Sequence, residues 1–273
     1  MAVLTLAGVV AAGQVAAASV KPTARHGRHP SDATHVIVPR GQPLQIALTA
    51  DTTDAPDFTR SFENAVGMAI DQHPSVKGFP IKLNVVETRC GQDASVEADD
   101  WAAAQTIVAN RQNTAVLGNL CSFGFSAALA VYQSAGLVTI TGSATADWLP
   151  SPIFSVLDRT VVSDGEGFSG WYARVQTLGR DLAWRSDYTV AFGSPPTPFA
   201  DLYFDAANLL VDRLQQVSRL DAVGDLIISR VALAAAVRNT TNFPGVSCTI
   251  TLDPTTGNRV NDPTALDRCG TSH

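Results

Sequence analysis

TAVLGNLCSFGFSAALAVYQSAGLVTITGSAT, residues 114–145, holds the pattern that decides the fold. Thr114–Leu117 is a short apolar run of strand length, and Leu137–Thr141 is a second one. Between them Phe123–Ser134 reads as a helix, and Gly136 supplies its stop. Upstream, Leu44, Ile46 and Leu48 fit a buried strand that ends at the polar run Asp51 to Asp57. Phe58, Phe62, Val66, Ala69 and Ile70 then recur on one helical face. Gly78 and Pro80 break that helix, and Ile81, Leu83 and Val85 alternate as the next strand. Ser95 is placed to cap a further helix through Trp101, Ala104 and Val108. Such alternation of strand and helix predicts an α/β fold, a parallel sheet covered by helices on both faces, over residues 44–150.

The second half is less regular. Ile153 to Leu157 reads as a strand and Gly165 to Leu182 as a helical segment. Phe199, Leu202, Tyr203, Ala206, Leu209 and Leu210 mark a long amphipathic helix behind Pro195-Pro196-Thr197-Pro198. Leu226 to Val237 reads as another apolar helix, Cys248 to Leu252 as a strand and Asp253 to Gly257 as a turn. One or two strands among three or four helices cannot build a free-standing sheet domain. Residues 151–258 are therefore expected to be mainly helical, with 259–273 as a tail.

The 273 residues carry 19 basic and 25 acidic side chains, a net charge of −6. That balance argues against nucleic acid as a main partner, because neutralising phosphates takes clustered Lys and Arg. With 45% hydrophobic residues the chain can bury a real core. Ala2 to Val20 is uncharged, and Ala16-Ala17-Ala18 offers a cleavage site, so residues 1–18 read as a signal peptide. No basic residue precedes the run, and an uncleaved anchor is the other reading. Residues 19–43, with His26 and His29 among basic residues and Pro30, read as a flexible linker rather than a metal site. The expected location is periplasmic or extracellular.

Gly118 to Gly124 sits at a strand-to-helix junction, but Leu120 stands where a nucleophile elbow needs Gly. Cys121 can be read as a thiol nucleophile or as half of a disulfide. His73 is the one histidine within the folded part, beside Pro74 in an expected loop, so a base is lacking. A second junction, Thr141 to Thr145, follows the next strand. Carboxyl ends of parallel strands that face helix N-termini are where open α/β sheets bind ligands, and the exposed amides favour an anion. Ser122, Ser143 and Thr145 add hydroxyls there, although caps and turns use the same residue types.

Gly165 to Gly170 matches G-x-G-x-x-G, with Asp187 about 20 residues further on. No clear strand follows, and an exported chain lacks a nicotinamide supply, so no cofactor is assigned. No C-x-x-C or H-x-x-x-H metal pattern occurs, and Asp99-Asp100 are expected on a helix surface. Asn239-Thr240-Thr241 fits a glycosylation acceptor.

Val85 to Cys90, Val116 to Ser122 and Ile140 to Thr145, in this order, resemble the branched-chain-amino-acid type of periplasmic binding protein, the type I solute-binding component of ABC transporters. Phe192-Gly193, Pro196-Thr197-Pro198, Tyr203 to Leu210 and Phe243 to Val246 resemble the closing segments of that family. The resemblance implies a two-lobed clamshell, not an enzyme, that hands an amino-acid-like solute to an ABC permease, with the membrane reached only through that permease or an uncleaved N-terminal segment. By position it implies that Ser122 gives a hydroxyl to a ligand carboxylate, that Ser143 offers main-chain groups, and that Thr145 offers its amide and hydroxyl. Asp164 matches an acidic residue near the crossing into the second lobe. Cys90 and Cys121 match the family's disulfide, which leaves Cys248 and Cys269 as a second pair.

Between Asp164 and Trp184 there is room for less than one strand–helix unit of about 30 residues, where the family has most of its second lobe. The expectation is thus a binding protein with a shortened second part. The alternative is a non-catalytic remnant or sensory domain that binds a protein partner.

Overall fold

The computed structural model describes residues 34–149 and 153–269, which lie in one unit of the chain. The expected signal segment and the start of the linker lie outside these residues. The first half runs β1 (His35–Val38), β2 (Leu44–Ala50), α1 (Pro56–Gln72), β3 (Ser75–Val76), β4 (Phe79–Glu87), α2 (Ala94–Ala109), β5 (Asn113–Leu117), α3 (Ser122–Ala135) and β6 (Thr139–Thr141). Then come β7 (Leu157–Arg159), α4 (Phe168–Val175), α5 (Gly179–Phe192), α6 (Ala200–Val217), β8 (Arg219–Leu220), β9 (Leu226–Ser229), α7 (Arg230–Arg238), β10 (Phe243–Gly245), β11 (Cys248–Ile250) and α8 (Pro263–Arg268).

The main sheet has the order β3-β4-β2-β5-β6-β7. β4, β2, β5, β6 and β7 are parallel, and the two-residue β3 is an antiparallel edge. Alternation along β2 decides which helices cover which face. Leu44, Ile46 and Leu48 point into one core with Phe62 and Val66 of α1 and Tyr203 and Leu210 of α6. Ala47 joins Val116 in the opposite core with Ala104 and Ile107 of α2 and Phe125 and Leu129 of α3. The fold is α/β with helices on both faces, as the sequence predicts.

Several segments depart from the sequence reading, among them the expected tail, where α8 forms and Arg259 is buried, and the start of α2, where Asp93 rather than Ser95 is the cap. The expected linker contains β1, which pairs antiparallel with β9 from His35↔Ser229 to Val38↔Leu226. Val36 and Val38 are buried in that pairing, so the i, i+2 alternation of His35-Val36-Ile37-Val38 was its signal. Leu226 to Val237 is a strand followed by a helix, because Ser229 stops β9 and caps α7 by accepting from the Ala232 amide at 3.2 Å. The expected strand at Ile153–Leu157 lies later, at Leu157–Arg159. Between β7 and α6 the described chain forms α4 and α5 and no strand. The second part is short and mainly helical.

Gly118 leaves β5 with φ of 135°, a conformation strained for any side chain, and a Cβ there would overlap the Thr49 side chain. Gly118→Ala is therefore expected to lower the free energy of unfolding by about 2–3 kcal/mol, read from urea denaturation. A loss under half a kilocalorie would mean that the turn relaxes freely.

Candidate ligand-binding site

Relabelled by first appearance, the five parallel strands have the 2-1-3-4-5 order, and the direction of winding reverses between β2 and β5. A cavity of about 860 Å³ opens at this carboxyl-terminal edge of the sheet. Four of the five parallel strands contribute their ends to its wall: Ala55 and Phe58 after β2, Cys90 to Gln92 after β4, Leu120 to Phe123 after β5, and Ser143, Ala146 and Trp148 after β6. Glu97, Ser126 and Phe199 complete it. The walls are largely apolar, and among the described residues no Lys or Arg lines them.

The two junctions read from the sequence are tied together. Ala146 N–H donates to Ser122 Oγ at 3.3 Å, and Ser143 Oγ donates to the Leu120 carbonyl at 2.7 Å. Ser122 and Thr145 are thus neighbours on the same edge. Ser122 is the first residue of α3, whose N-cap, Cys121, makes no side-chain capping bond. The hydroxyl of Ser122 keeps its own proton for another acceptor. Thr145 is partly exposed, and its amide and hydroxyl have no hydrogen-bond partner among the described residues.

Ser143 is differently placed. Its hydroxyl is held by Leu120 and by Tyr203 Oη at 3.2 Å, and its amide donates to Thr141 Oγ1 at 3.3 Å. It lines the cavity but chiefly fastens one turn to the other. Asp164 is exposed and does not line the cavity. Its amide donates to the Thr145 carbonyl at 3.0 Å, so it steadies that loop from behind.

Cys90 and Cys121 form a disulfide across the cavity wall, 31 residues apart, and Cys248 joins Cys269. Closing the first loop stabilises the fold by about 3–4 kcal/mol in the chain-entropy model. With its sulfur bonded, Cys121 offers no thiolate, which removes the nucleophile reading. The G-x-G-x-x-G stretch is a turn: Gly167, in the left-handed region, caps the short α4, and Gly165 N–H donates to Asp147 Oδ1 at 2.9 Å. A carboxylate on that loop is wrong for a pyrophosphate. Asp187 lies on α5, beside a different cavity.

Buried charges that the sequence reading passed over hold the loops in place. Asp51 accepts the amides of Thr53 and Asp54 through Oδ1 and that of Cys90 through Oδ2 at 2.7 Å. Asp100 was expected on a surface but is 1% exposed. It accepts Arg89 N–H at 3.0 Å and Asn119 Nδ2 at 2.7 Å, joining the loops after β4 and β5. Burial lifts its carboxyl to about 6 against those two hydrogen bonds, which pull it down. The signal was available, because Val96, Asp100, Ala103, Ala104 and Ile107 share one helical face.

Arg159 does for Thr145 what Asp100 does for Asn119. Its Nη1 donates to the carbonyls of Ala144 and Ala146 at 3.2 and 3.0 Å, flanking Thr145, while Nε and Nη2 hold Asn258 Oδ1. Burial lowers its pKa, and Asp147, Glu166 and Asp164 oppose that shift. Asp164, matched to the acidic residue near the lobe crossing, thus adds to the carboxylates around a buried arginine.

No family model matches the chain, and no curated protein does. Solved structures do match. The branched-chain amino acid substrate-binding protein LivJ of Streptococcus pneumoniae, in complex with isoleucine, superposes with a TM-score of 0.65 at 11% identity, over 80% of this chain and 94% of the other. The leucine-binding protein LivK of Thermotoga maritima gives 0.64 at 13%, over 79% and 93%. A solute-binding protein of Rhodopseudomonas palustris, in complex with 3,4-dihydroxybenzoic acid, gives 0.63 at 12%, over 80% and 91%. The fold is that of the ABC-transporter solute-binding proteins. At such identities the likeness fixes architecture and leaves the ligand open. Within that architecture, the cavity of this chain lies where the sheet reverses its winding.

Proposed function

We propose that the chain is an extracytoplasmic solute-binding protein for a small amino-acid-like ligand, working with an ABC-type permease. One observation carries the reading. Ser122, at the uncapped start of α3, lines an apolar cavity of about 860 Å³, and Thr145, with amide and hydroxyl unengaged, stands next to Ala146 of its wall, whose N–H donates to Ser122 Oγ. Amides and hydroxyls at a helix start suit a carboxylate, and the helix dipole adds to them. Glu97 supplies a carboxylate for an ammonium group, and Phe58, Phe123, Trp148 and Phe199 supply apolar surface for a side chain. The solved relatives in complex with isoleucine and with an aromatic acid support a ligand that joins a carboxylate to an apolar body.

Isothermal titration of the neutral L-amino acids tests it. Saturable binding without turnover is expected, weakened about a hundredfold in the Ser122→Ala, Thr145→Ala double variant by the loss of two hydrogen bonds to a charged group. Absence of heat across the whole panel would defeat the reading.

A second reading, a ligand-sensing domain that docks a protein partner, draws on Trp148, which is 55% exposed at the cavity. Self-association on size exclusion that disappears in Trp148→Ser would favour it. A monomer at every concentration would count against it.

A further inference from the structure

Asp181, in the first turn of α5, and Asp201, in the first turn of α6, are both fully buried. Arg185 Nε donates to Asp181 Oδ2 at 2.6 Å, and Tyr172 Oη donates to Asp201 Oδ1 at 2.7 Å. The direction of the second bond is fixed. Tyr172 Oη accepts the Phe199 amide at 2.6 Å, so its single proton goes to Asp201. The other two oxygens, Asp181 Oδ1 and Asp201 Oδ2, have no donor among the described residues. The two carboxyls are nevertheless hydrogen-bond neighbours of each other. Two ionised carboxylates cannot make that bond, whereas one proton on Asp181 Oδ1 satisfies both idle oxygens at once.

The charges around the pair lead to the same count. Arg185 of α5 faces both aspartates and Tyr172 of α4, and Arg259, buried ahead of α8, faces Asp201 and Asp205 of α6. Three buried carboxyls thus stand against two guanidiniums, and one proton makes the cluster neutral. Burial and then the Asp201 carboxylate lift the Asp181 carboxyl to about 8, against the pull of Arg185. This corner also carries one wall of the first cavity. Phe199 lines that cavity, with its amide on Tyr172 Oη and its ring stacked on Phe168 at 5.4 Å and on Tyr172 at 5.5 Å.

We propose that Asp181 and Asp201 share one proton, and that this proton latches the starts of α5 and α6 together and so holds the Phe199 wall of the first cavity. Once the proton leaves, two buried carboxylates face each other and repel. Asp201 is the anchor of Tyr172 Oη, and Tyr172 Oη is the anchor of the Phe199 amide, so the separation is passed to the cavity wall. The folded pair holds its proton more tightly than the unfolded chain does. The latch is therefore closed at low pH and opens as pH climbs through the folded value. Its effect on a ligand rests on the first cavity being the binding site, while the latch itself does not.

The test uses the full chain labelled with ¹³C at the aspartate side-chain carboxyls and with fluorine on its phenylalanine rings. Asp181→Asn and Asp201→Asn assign the two carboxyl signals, and Phe199→Leu assigns its fluorine. From about pH 6 to about pH 10 both carboxyl signals are expected to follow one step with a midpoint near 8, because the two groups titrate as a pair. The Phe199 fluorine is expected to move along the same step. In Asp181→Asn the side-chain amide supplies the donor at every pH, so the Phe199 signal is expected to keep its low-pH position throughout. Carboxyl signals that stay flat across the range overturn the shared proton. A Phe199 signal that ignores the carboxyl step in the parent chain, or moves equally in Asp181→Asn, overturns the latch. Neither readout involves a ligand, so both outcomes stay distinct from the titration that tests the proposed function.

Discussion

Arg238→Met is expected to lower the free energy of unfolding by about 3–5 kcal/mol, the cost of removing one partner from a buried ion pair. Asp158, in the edge strand β7, is fully buried, and Arg238, at the end of α7, is 9% exposed. Arg238 Nε donates to Asp158 Oδ1 at 2.6 Å, and Nη2 donates to the carbonyls of Leu157 at 2.6 Å and Phe154 at 3.3 Å. Burial already pushes the Asp158 carboxyl well above the usual range, against the pull of Arg238. Without the guanidinium, the carboxylate has no countercharge and the ends of β7 lose their donors. The Asp158→Leu, Arg238→Met double variant removes both charges and is expected to recover much of the loss. Urea denaturation of the three variants reads this directly. A single variant as stable as the parent would mean that the pair is hydrated and worth little.

Stability is expected to fall as pH rises from about 4 to about 8, by an amount on the order of 3 kcal/mol from Asp100 alone. Burial lifts the carboxyls of Asp100 and Asp205 each to about 6. Asp158 is raised by burial, and Asp181 by burial and then by the adjacent carboxylate of Asp201. For a group whose folded pKa lies above its unfolded value, the favourable contribution is complete below the unfolded pKa, near 4. It disappears as pH climbs through the folded value. Ionising these groups in place therefore weakens the fold, and the native state holds the protons that the unfolded chain has already released. Asp93 and Asp147, lowered by hydrogen bonds from Ser95 and Gly165, act in the other direction and only below about 4. Denaturation midpoints measured from pH 4 to pH 9 should decline across the range. A flat or rising profile would show that the buried carboxyls are ionised in the folded chain without penalty.

The sheet was legible because its strands are short apolar runs separated by helices of plain amphipathic spacing, as in residues 114–145. The two strand-to-helix turns that carry Ser122 and Thr145 were legible as turns for the same reason, since a parallel sheet sends its strand ends to one edge. What escaped notice were groups whose role depends on the other side of the molecule. Arg159 stands in Val156-Leu157-Asp158-Arg159-Thr160-Val161-Val162, an apolar run with two charges in it. That pattern announces buried, paired charges but does not name the partners, Asn258 and Arg238, which come from 99 and 80 residues away. Asp100 could have been read from its helical face, while Phe199 could not. Phe199 reaches the first cavity from the start of α6 with φ of 71°, stacks on Phe168 and Tyr172, and donates its amide to Tyr172 Oη at 2.6 Å, an arrangement set by tertiary contacts. The alternation of β1 is visible in the sequence, but its pairing is not, because its partner, β9, follows it by almost two hundred residues.

The ¹⁵N amide spectrum recorded with and without saturating L-leucine probes the account where it is most exposed. If the two turns grip one carboxylate, the amides of Ser122, Phe123 and Thr145 shift together along a single saturation curve, and Ser122→Ala weakens all three responses alike. If L-leucine binds while those three amides stay where they are, the ligand sits elsewhere and the proposed role of the two turns is wrong.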